Sequence, residues 1–215
     1  MKRTLSVEAV NKIGEEVILK GYVNARRNMG KIVFLDLRDY KGMIQVVGVP
    51  SELDEESIEK LKKIRPEWAI EIKGVINERG EKQKKLELPT GTIELLAKEI
   101  KILSEAEPLP IDLEDEKIGL DIHLDYLPIT LRNAKWKALF KIQAEVVEAF
   151  RAFLRSKDFT EFQCPKLVGD STEGGANVFK MEYFGHKAFL AQSPQFYKQI
   201  LVGAYERVFT VGNVY

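Results

Sequence analysis

The chain has 215 residues, enough for one large domain or two small ones, and its 45% hydrophobic and 31% charged composition is that of a globular protein able to bury a core. Lys+Arg and Asp+Glu number 33 each, so any nucleic-acid partner must be met by a local basic face rather than by a basic chain. The single cysteine, Cys164, excludes an internal disulfide framework and a Cys-based zinc cluster. No apolar run approaches the ~20 residues of a membrane span, and the charged start MKRTLSVEAV is not a signal peptide, so a cytoplasmic protein is expected.

The first hundred residues read as short strands. EEVILKGYVNARR places Val17, Leu19, Gly21 and Val23 on one side, and KIVFLDLRD does the same with Val33, Leu35 and Leu37. KGMIQVVG follows a turn at Asp39–Gly42. SELDEESIEKLKKI carries Leu53, Ile58, Leu61 and Ile64 near helical spacing, and EWAIEIKGVI and TIELLAKEIKIL supply two more strands. Three strands, a helix and two strands is the order of an OB-fold, a five-stranded Greek-key barrel, here over residues 1–104. Residues 105–121, with Pro108, Pro110 and an acidic run, break both periods and read as a hinge or linker, or equally as a solvated loop. NAKWKALFKIQAEVVEAFRAFLRSK is then a long helix with Leu139, Ile142, Val146, Phe150 and Phe153 as an apolar stripe, running into a strand, FTEFQCPKLV, closed by Pro165.

Two constellations carry chemistry. If Val33, Leu35 and Leu37 point inward, Phe34 and Asp36 point outward, because strand side chains alternate. An exposed Phe on an OB strand is a platform for an unpaired base. Arg26, Arg27, Lys31, Arg38 and Lys41 surround it, and Gln45 on the next strand offers a donor and an acceptor to a base edge. On spacing alone, a Phe34 packed under a neighbouring helix stands even with this reading; the barrel context favours nucleic acid. A second cationic run, Arg79, Lys82, Lys84 and Lys85, falls in the loop between the fourth and fifth strands. Downstream, AQSPQFYKQI predicts a helix with Ser193 as N-cap and Pro194 at its first position. It places Gln195 and Lys198 three residues apart on one face, a pair suited to a small carboxylate or, more blandly, to solvent. Upstream, STEGGANVF sets Glu173, which could hold an ammonium group, beside Gly174 and Gly175, a pair that an ordinary turn would also use.

In this order, the pieces resemble an aspartyl-tRNA synthetase, a class II family with an N-terminal OB-fold anticodon-binding domain. GYVNARRNMGKIVFLDLRDYKGMIQVV is similar to the anticodon-domain signature. The helix and strand ending at Pro165 resemble class II motif 1, which implies a homodimer interface. STEGGANVF and AQSPQFYKQ resemble the amino-acid site. The resemblance implies a β-barrel followed by an α+β partial catalytic domain over residues 122–215. It also implies Glu173 on the ammonium of L-aspartate, and Gln195 and Lys198 in the aspartate pocket with Ser193 and Gln199 in support. Arg27, Phe34, Gln45 and Glu94 would lie against anticodon bases. A fixed cation such as Lys198 separates aspartate from asparagine, because an amide cannot repay its desolvation.

The family's motif 2 opens with an Arg and a Glu after a strand like ERVFTVGNVY, and the 215 residues stop before it; motif 3 is also absent. The family's ATP and Mg²⁺ chemistry is therefore expected only of an intact enzyme, in which aspartate attacks the ATP α-phosphate and the adenylate passes to the terminal ribose of tRNA(Asp). No catalytic residue and no metal ligand is assigned within the 215 residues, which alone are expected to bind tRNA without forming aspartyl-adenylate. Whether tRNA(Asn) is a second substrate stays open, Asn24 alone being too little to decide it. The rival readings are a standalone OB-fold tRNA-binding module and an asparaginyl-tRNA synthetase fragment, the latter opposed by Lys198.

Overall fold

A computed structural model describes residues 2–113, 115, 117–170 and 178–215. The chain divides into two compact units, residues 1–112 and 113–215.

In the first unit, strands β1 (Arg3–Thr4), β2 (Glu16–Met29), β3 (Ile32–Arg38), β4 (Met43–Gly48), β5 (Ala69–Glu78) and β6 (Ile93–Ser104) lie in the order β1-β2-β3-β4-β6-β5. A further β2–β5 pairing closes the last five into a barrel. Closure depends on the length of β2. Its first half, Glu16 to Tyr22, pairs β5, and its second half, Tyr22 to Met29, pairs β3. Gly21 sits at this change of partner, where a Cβ would run into the backbone carbonyl of Arg38, so only glycine lets the two strands approach. The alternation expected for β2 and β3 is present: Val17, Leu19, Val23, Val33, Leu35 and Leu37 are buried with Ile70, Ile72, Leu95 and Ile100 in one core.

Helix α1 (Glu55–Lys63) closes one end of the barrel. Asp54 is its N-cap, accepting from the Ser57 amide at 2.6 Å, and this hydrogen bond holds the Asp54 carboxyl below its ordinary pKa. Ser57 Oγ in turn accepts from the Ile100 amide at 2.7 Å, while Leu61 and Ile64 enter the core.

The second unit begins with α2 (Leu120–Asp125), α3 (Leu127–Thr130) and the 22-residue α4 (Ala134–Arg155). Asn133 caps α4, accepting from the Lys135 amide at 2.9 Å. The apolar stripe expected on α4 is exposed: Leu139, Ile142, Val146, Phe150 and Phe153 each keep more than half of their surface. The single strand expected after α4 is instead two short ones. β7 (Thr160–Glu161) pairs in parallel with β11 (Val208–Phe209), and β8 (Leu167–Val168) joins a three-stranded antiparallel sheet with β9 (Lys180–Tyr183) and β10 (His186–Leu190). Exposed Pro165, lacking an N–H, sits in the break. Phe184 and Gly185, both at positive φ, make the two-residue turn between β9 and β10. Helix α5 (Gln195–Tyr205) starts one residue later than expected. Pro194 is its N-cap, its carbonyl accepting from the Lys198 amide at 3.0 Å, and among the described residues Ser193 makes no capping hydrogen bond.

Candidate nucleic-acid interface and amino-acid pocket

The outer face of the barrel carries a two-row grid of side chains set by strand register. Across β2, β3 and β4, Arg27 lies opposite Phe34, which lies opposite Val47; Val47 aligns with Leu96 on β6. One step along, Ala25 lies opposite Asp36, which lies opposite Gln45. A β-bulge between Val23 and Ala25 creates this arrangement. Without it, inward Val23 would be followed by inward Ala25 and Arg27. With it, Arg26 pairs buried Leu35 on the inner side and Arg27 turns outward beside Phe34.

A continuous polar chain runs along the second row. Arg27 grips Asp36 with both terminal nitrogens, at 2.6 and 2.9 Å, and donates a longer bond of 3.4 Å to Gln45 Oε1. Gln45 Nε2 donates to Glu94 Oε2 at 2.9 Å, and Arg79 Nε stands 4.0 Å from the same carboxylate. Donating to the Asp36 carboxylate raises the Arg27 pKa above its ordinary value, so this group stays a cation. Gln45, held from both ends, keeps one amide hydrogen and one carbonyl lone pair for a base edge. Phe34, half-buried beside this chain, offers its ring for stacking. Arg27, Gln45 and Glu94, picked from the sequence, are thus brought together with Phe34. Asp36, to which no role fell, is the residue that links them, and its parity with Phe34 was the available signal.

Other expected cations are engaged elsewhere. Arg38 binds Glu67 in a two-pronged contact at 2.8 and 3.0 Å and Asn24 at 2.7 Å. Arg79 is buried and donates to the Ile93 carbonyl at 2.8 Å. Lys84 is held by Glu78 and Glu81 at 2.6 and 2.5 Å, which raises its pKa. Only Lys82 and Lys85 of that run are exposed. Arg26 faces away from Phe34.

In the second unit, Lys198 lines a pocket of about 310 Å³ together with Lys166, Pro194, Thr210 and Gly212. Lys166, which sequence reasoning passed over, donates to Cys164 Sγ at 3.7 Å. Gln195 and Gln199 lie exposed on α5, and Gln195 does not line the pocket. Glu173 lies outside the described residues. Among the described residues no helix is long and apolar enough to cross a membrane.

A model of class II tRNA synthetases (D, K and N) matches residues 119–215, and one of the OB-fold nucleic acid binding domain matches residues 17–103. The second unit thus carries a class II tRNA synthetase sequence and the first an OB-fold nucleic-acid-binding one. It is 40% identical to an aspartate–tRNA(Asp/Asn) ligase of Deinococcus radiodurans, covering 100% of this chain and 46% of that protein. The corresponding ligase of Thermus thermophilus is 40% identical, with 94% and 45% covered. Among solved structures, the asparaginyl-tRNA synthetase of Pyrococcus horikoshii with asparaginyl-adenylate superposes with a TM-score of 0.88 at 27% identity, over 100% of this chain and 48% of that one. The aspartyl tRNA synthetase of Entamoeba histolytica gives 0.75 at 27% identity, over 95% and 44%. The chain spans about half the length of the curated relatives it matches. Its fold is an OB-fold barrel followed by part of a class II catalytic domain.

Proposed function

We propose that the chain is the front part of an aspartate–tRNA ligase, in which the barrel holds the anticodon of tRNA(Asp) and the second unit supplies part of the aspartate pocket. The observation that carries the reading is the polar chain Arg27–Asp36–Gln45–Glu94 set beside Phe34 on one outer barrel face. A stacking ring next to a pre-oriented amide matches what an unpaired base offers, a π-face and a polar edge, with Arg27, itself held by Asp36, fixing the amide. Relatives named for both tRNA(Asp) and tRNA(Asn) support tRNA(Asn) as a second substrate. Residues 1–104 act as the anticodon module, 105–121 as the hinge and 122–215 as the catalytic portion of a cytoplasmic enzyme.

In the pocket, Lys198 offers its ammonium to the aspartate side-chain carboxylate and Glu173 takes the substrate ammonium; Gln195, outside the pocket lining, supports from the α5 surface. An asparaginyl enzyme would leave Lys198 unpaired against a neutral amide, which argues for aspartate. The exposed stripe of α4, followed by Pro165, forms the homodimer interface. ATP and Mg²⁺ serve the activation step of the intact enzyme. Among the described residues no three His, Cys, Asp or Glu side chains converge to hold a metal ion.

The test is binding of a tRNA(Asp) transcript to the 215-residue chain at fixed moderate salt. Phe34→Ala is expected to weaken binding by about tenfold, the size of a stacking contact worth ~1–3 kcal/mol. Unchanged affinity would remove the base-stacking role.

A further inference from the structure

The bulge that turns Arg27 outward also turns Arg26 inward, opposite buried Leu35. There its Nε is buried with no hydrogen-bond partner. A buried guanidinium N–H is rarely left this way without a ligand to meet it. Arg26 lines an open groove of about 610 Å³ at the α1 end of the barrel, with Lys62, Lys63, Arg65, Glu105 and Glu107. The groove wall is fixed rather than incidental: the indole N–H of Trp68, itself buried, donates to the Ala106 carbonyl at 3.0 Å and so ties the segment carrying both glutamates to the barrel. Four cations against two carboxylates leave the groove net positive. Lys62 is occupied by Glu59 at 2.6 Å. Among the described residues no ion pair engages Arg26, Lys63 or Arg65, although Glu105 and Glu107 share the groove.

We propose that this groove is a second RNA contact that holds a backbone phosphate, with Arg26, Lys63 and Arg65 as its cations and Glu105 and Glu107 as weakening neighbours. The proposal rests on the tRNA-binding reading above and adds a site to it. RNA is the favoured source of the phosphate because of the edge that separates the two faces. The pairing of β2 with β5 stops at Tyr22, so among the described residues Ala25–Met29 of that strand pair in the sheet only with β3. A strand with its base on Phe34 can carry its backbone round this free edge, from Arg27 on the outer face to Arg26 in the groove. The groove is also far larger than one phosphate group, which suits a length of backbone.

The experiment follows anisotropy of a labelled tRNA transcript on the 215-residue chain between roughly 50 and 200 mM salt. It uses wild type, Lys63→Gln/Arg65→Gln, Glu105→Gln/Glu107→Gln and Phe34→Ala. Lys63 and Arg65 are exposed, so their removal leaves the fold in place. Their loss is expected to lower the magnitude of the salt slope by about 1 for each phosphate contact removed and to weaken binding about three- to tenfold, whereas the Gln pair at 105 and 107 strengthens it. Phe34→Ala weakens binding with the slope preserved. In parallel, the Arg26 Nε–H resonance, assigned through Arg26→Lys, is expected to shift when RNA binds but not with inorganic phosphate at matched concentration. Unchanged affinity and slope in Lys63→Gln/Arg65→Gln, or a silent Arg26 resonance, overturns the groove while leaving the Phe34 face standing. A shift with inorganic phosphate alone overturns the assignment to RNA. Absence of any wild-type binding overturns both readings.

Discussion

The two units spend their apolar residues in opposite ways. In the barrel, twenty buried hydrophobic residues form one closed core, and the outer face is left free to be polar. In the second unit, among the described residues, only Ala188, Ala191 and Phe209 are buried hydrophobics, while α4 exposes five large side chains in a row and α5 exposes Phe196, Ile200 and Val202. The barrel is stable through its own closure. The second unit presents apolar surface of the kind that marks a contact with another body. A module that closes on itself can carry a binding face on rigid strands; one that does not must complete its core through association.

The sharpest way to break this contrast uses the two tryptophans, one in each unit: buried Trp68 in the barrel and Trp136 in the first turn of α4, stacked on His123 at 3.7 Å between ring centroids. Leu35 has no exposed surface, so Leu35→Ala is expected to lower barrel stability by about 2–5 kcal/mol, read by urea unfolding in a Trp136→Phe background. Ile142, 63% exposed, behaves differently. Ile142→Asp in a Trp68→Phe background is expected to move unfolding by only about 0.5 kcal/mol, yet to weaken self-association by at least tenfold in sedimentation. Equal unfolding losses in the two units, or undisturbed association, would show that the contrast is wrong.

What could be read from the sequence follows the same division. Period-2 alternation within β3 is a local property, so the inward set Val33, Leu35, Leu37 and the outward pair Phe34, Asp36 were legible. The bulge in β2 was not, since it exists only relative to β3, and Arg26 was therefore grouped with Arg27. Nor could spacing show that Arg79 would be buried against the Ile93 carbonyl or that Arg38 would be spent on Glu67. In the second unit, FTEFQCPKLV has strand composition. Its two halves find different partners, β11 and β10, 48 and 21–23 residues further along, and such pairing leaves no local trace. The β9–β10 hairpin went unseen, because its turn uses Phe184 rather than the usual Asn or Asp. The one-residue error at Ser193 is the ordinary uncertainty of a helix end.

An intermediate effect comes from Glu161, which ties β7 to α4 through Arg151 at 2.8 Å and Arg155 at 2.9 Å. The hydrogen bond from Arg151, aided by Arg155, holds its carboxyl below the ordinary glutamate value. A depressed folded-state pKa means that the stabilisation is complete above the unfolded value, about 4.3, and is lost as pH falls through the folded one. The thermal midpoint of the second unit, followed through Trp136, is therefore expected to drop more steeply between about pH 5 and pH 3 in wild type than in Glu161→Gln. The two curves should converge at the acid end. Parallel curves would mean that this clasp contributes nothing to holding β7 on α4.

The smallest effect tests the barrel's surface rather than its core. Lys84 and Lys85 are adjacent in one loop, but Lys84 is held between Glu78 and Glu81 whereas Lys85 is exposed. A cation already neutralised by two carboxylates releases few counterions when RNA arrives, and a free one contributes its full share. Lys84→Gln is thus expected to leave the affinity for the tRNA transcript and its salt slope unchanged. Lys85→Gln is expected to lower the magnitude of the slope by about 1 with little change in base preference. A larger loss from Lys84 than from Lys85 would show that its pairing with Glu78 and Glu81 gives way on binding, and that the barrel's polar face is rearranged by RNA rather than built in advance for it.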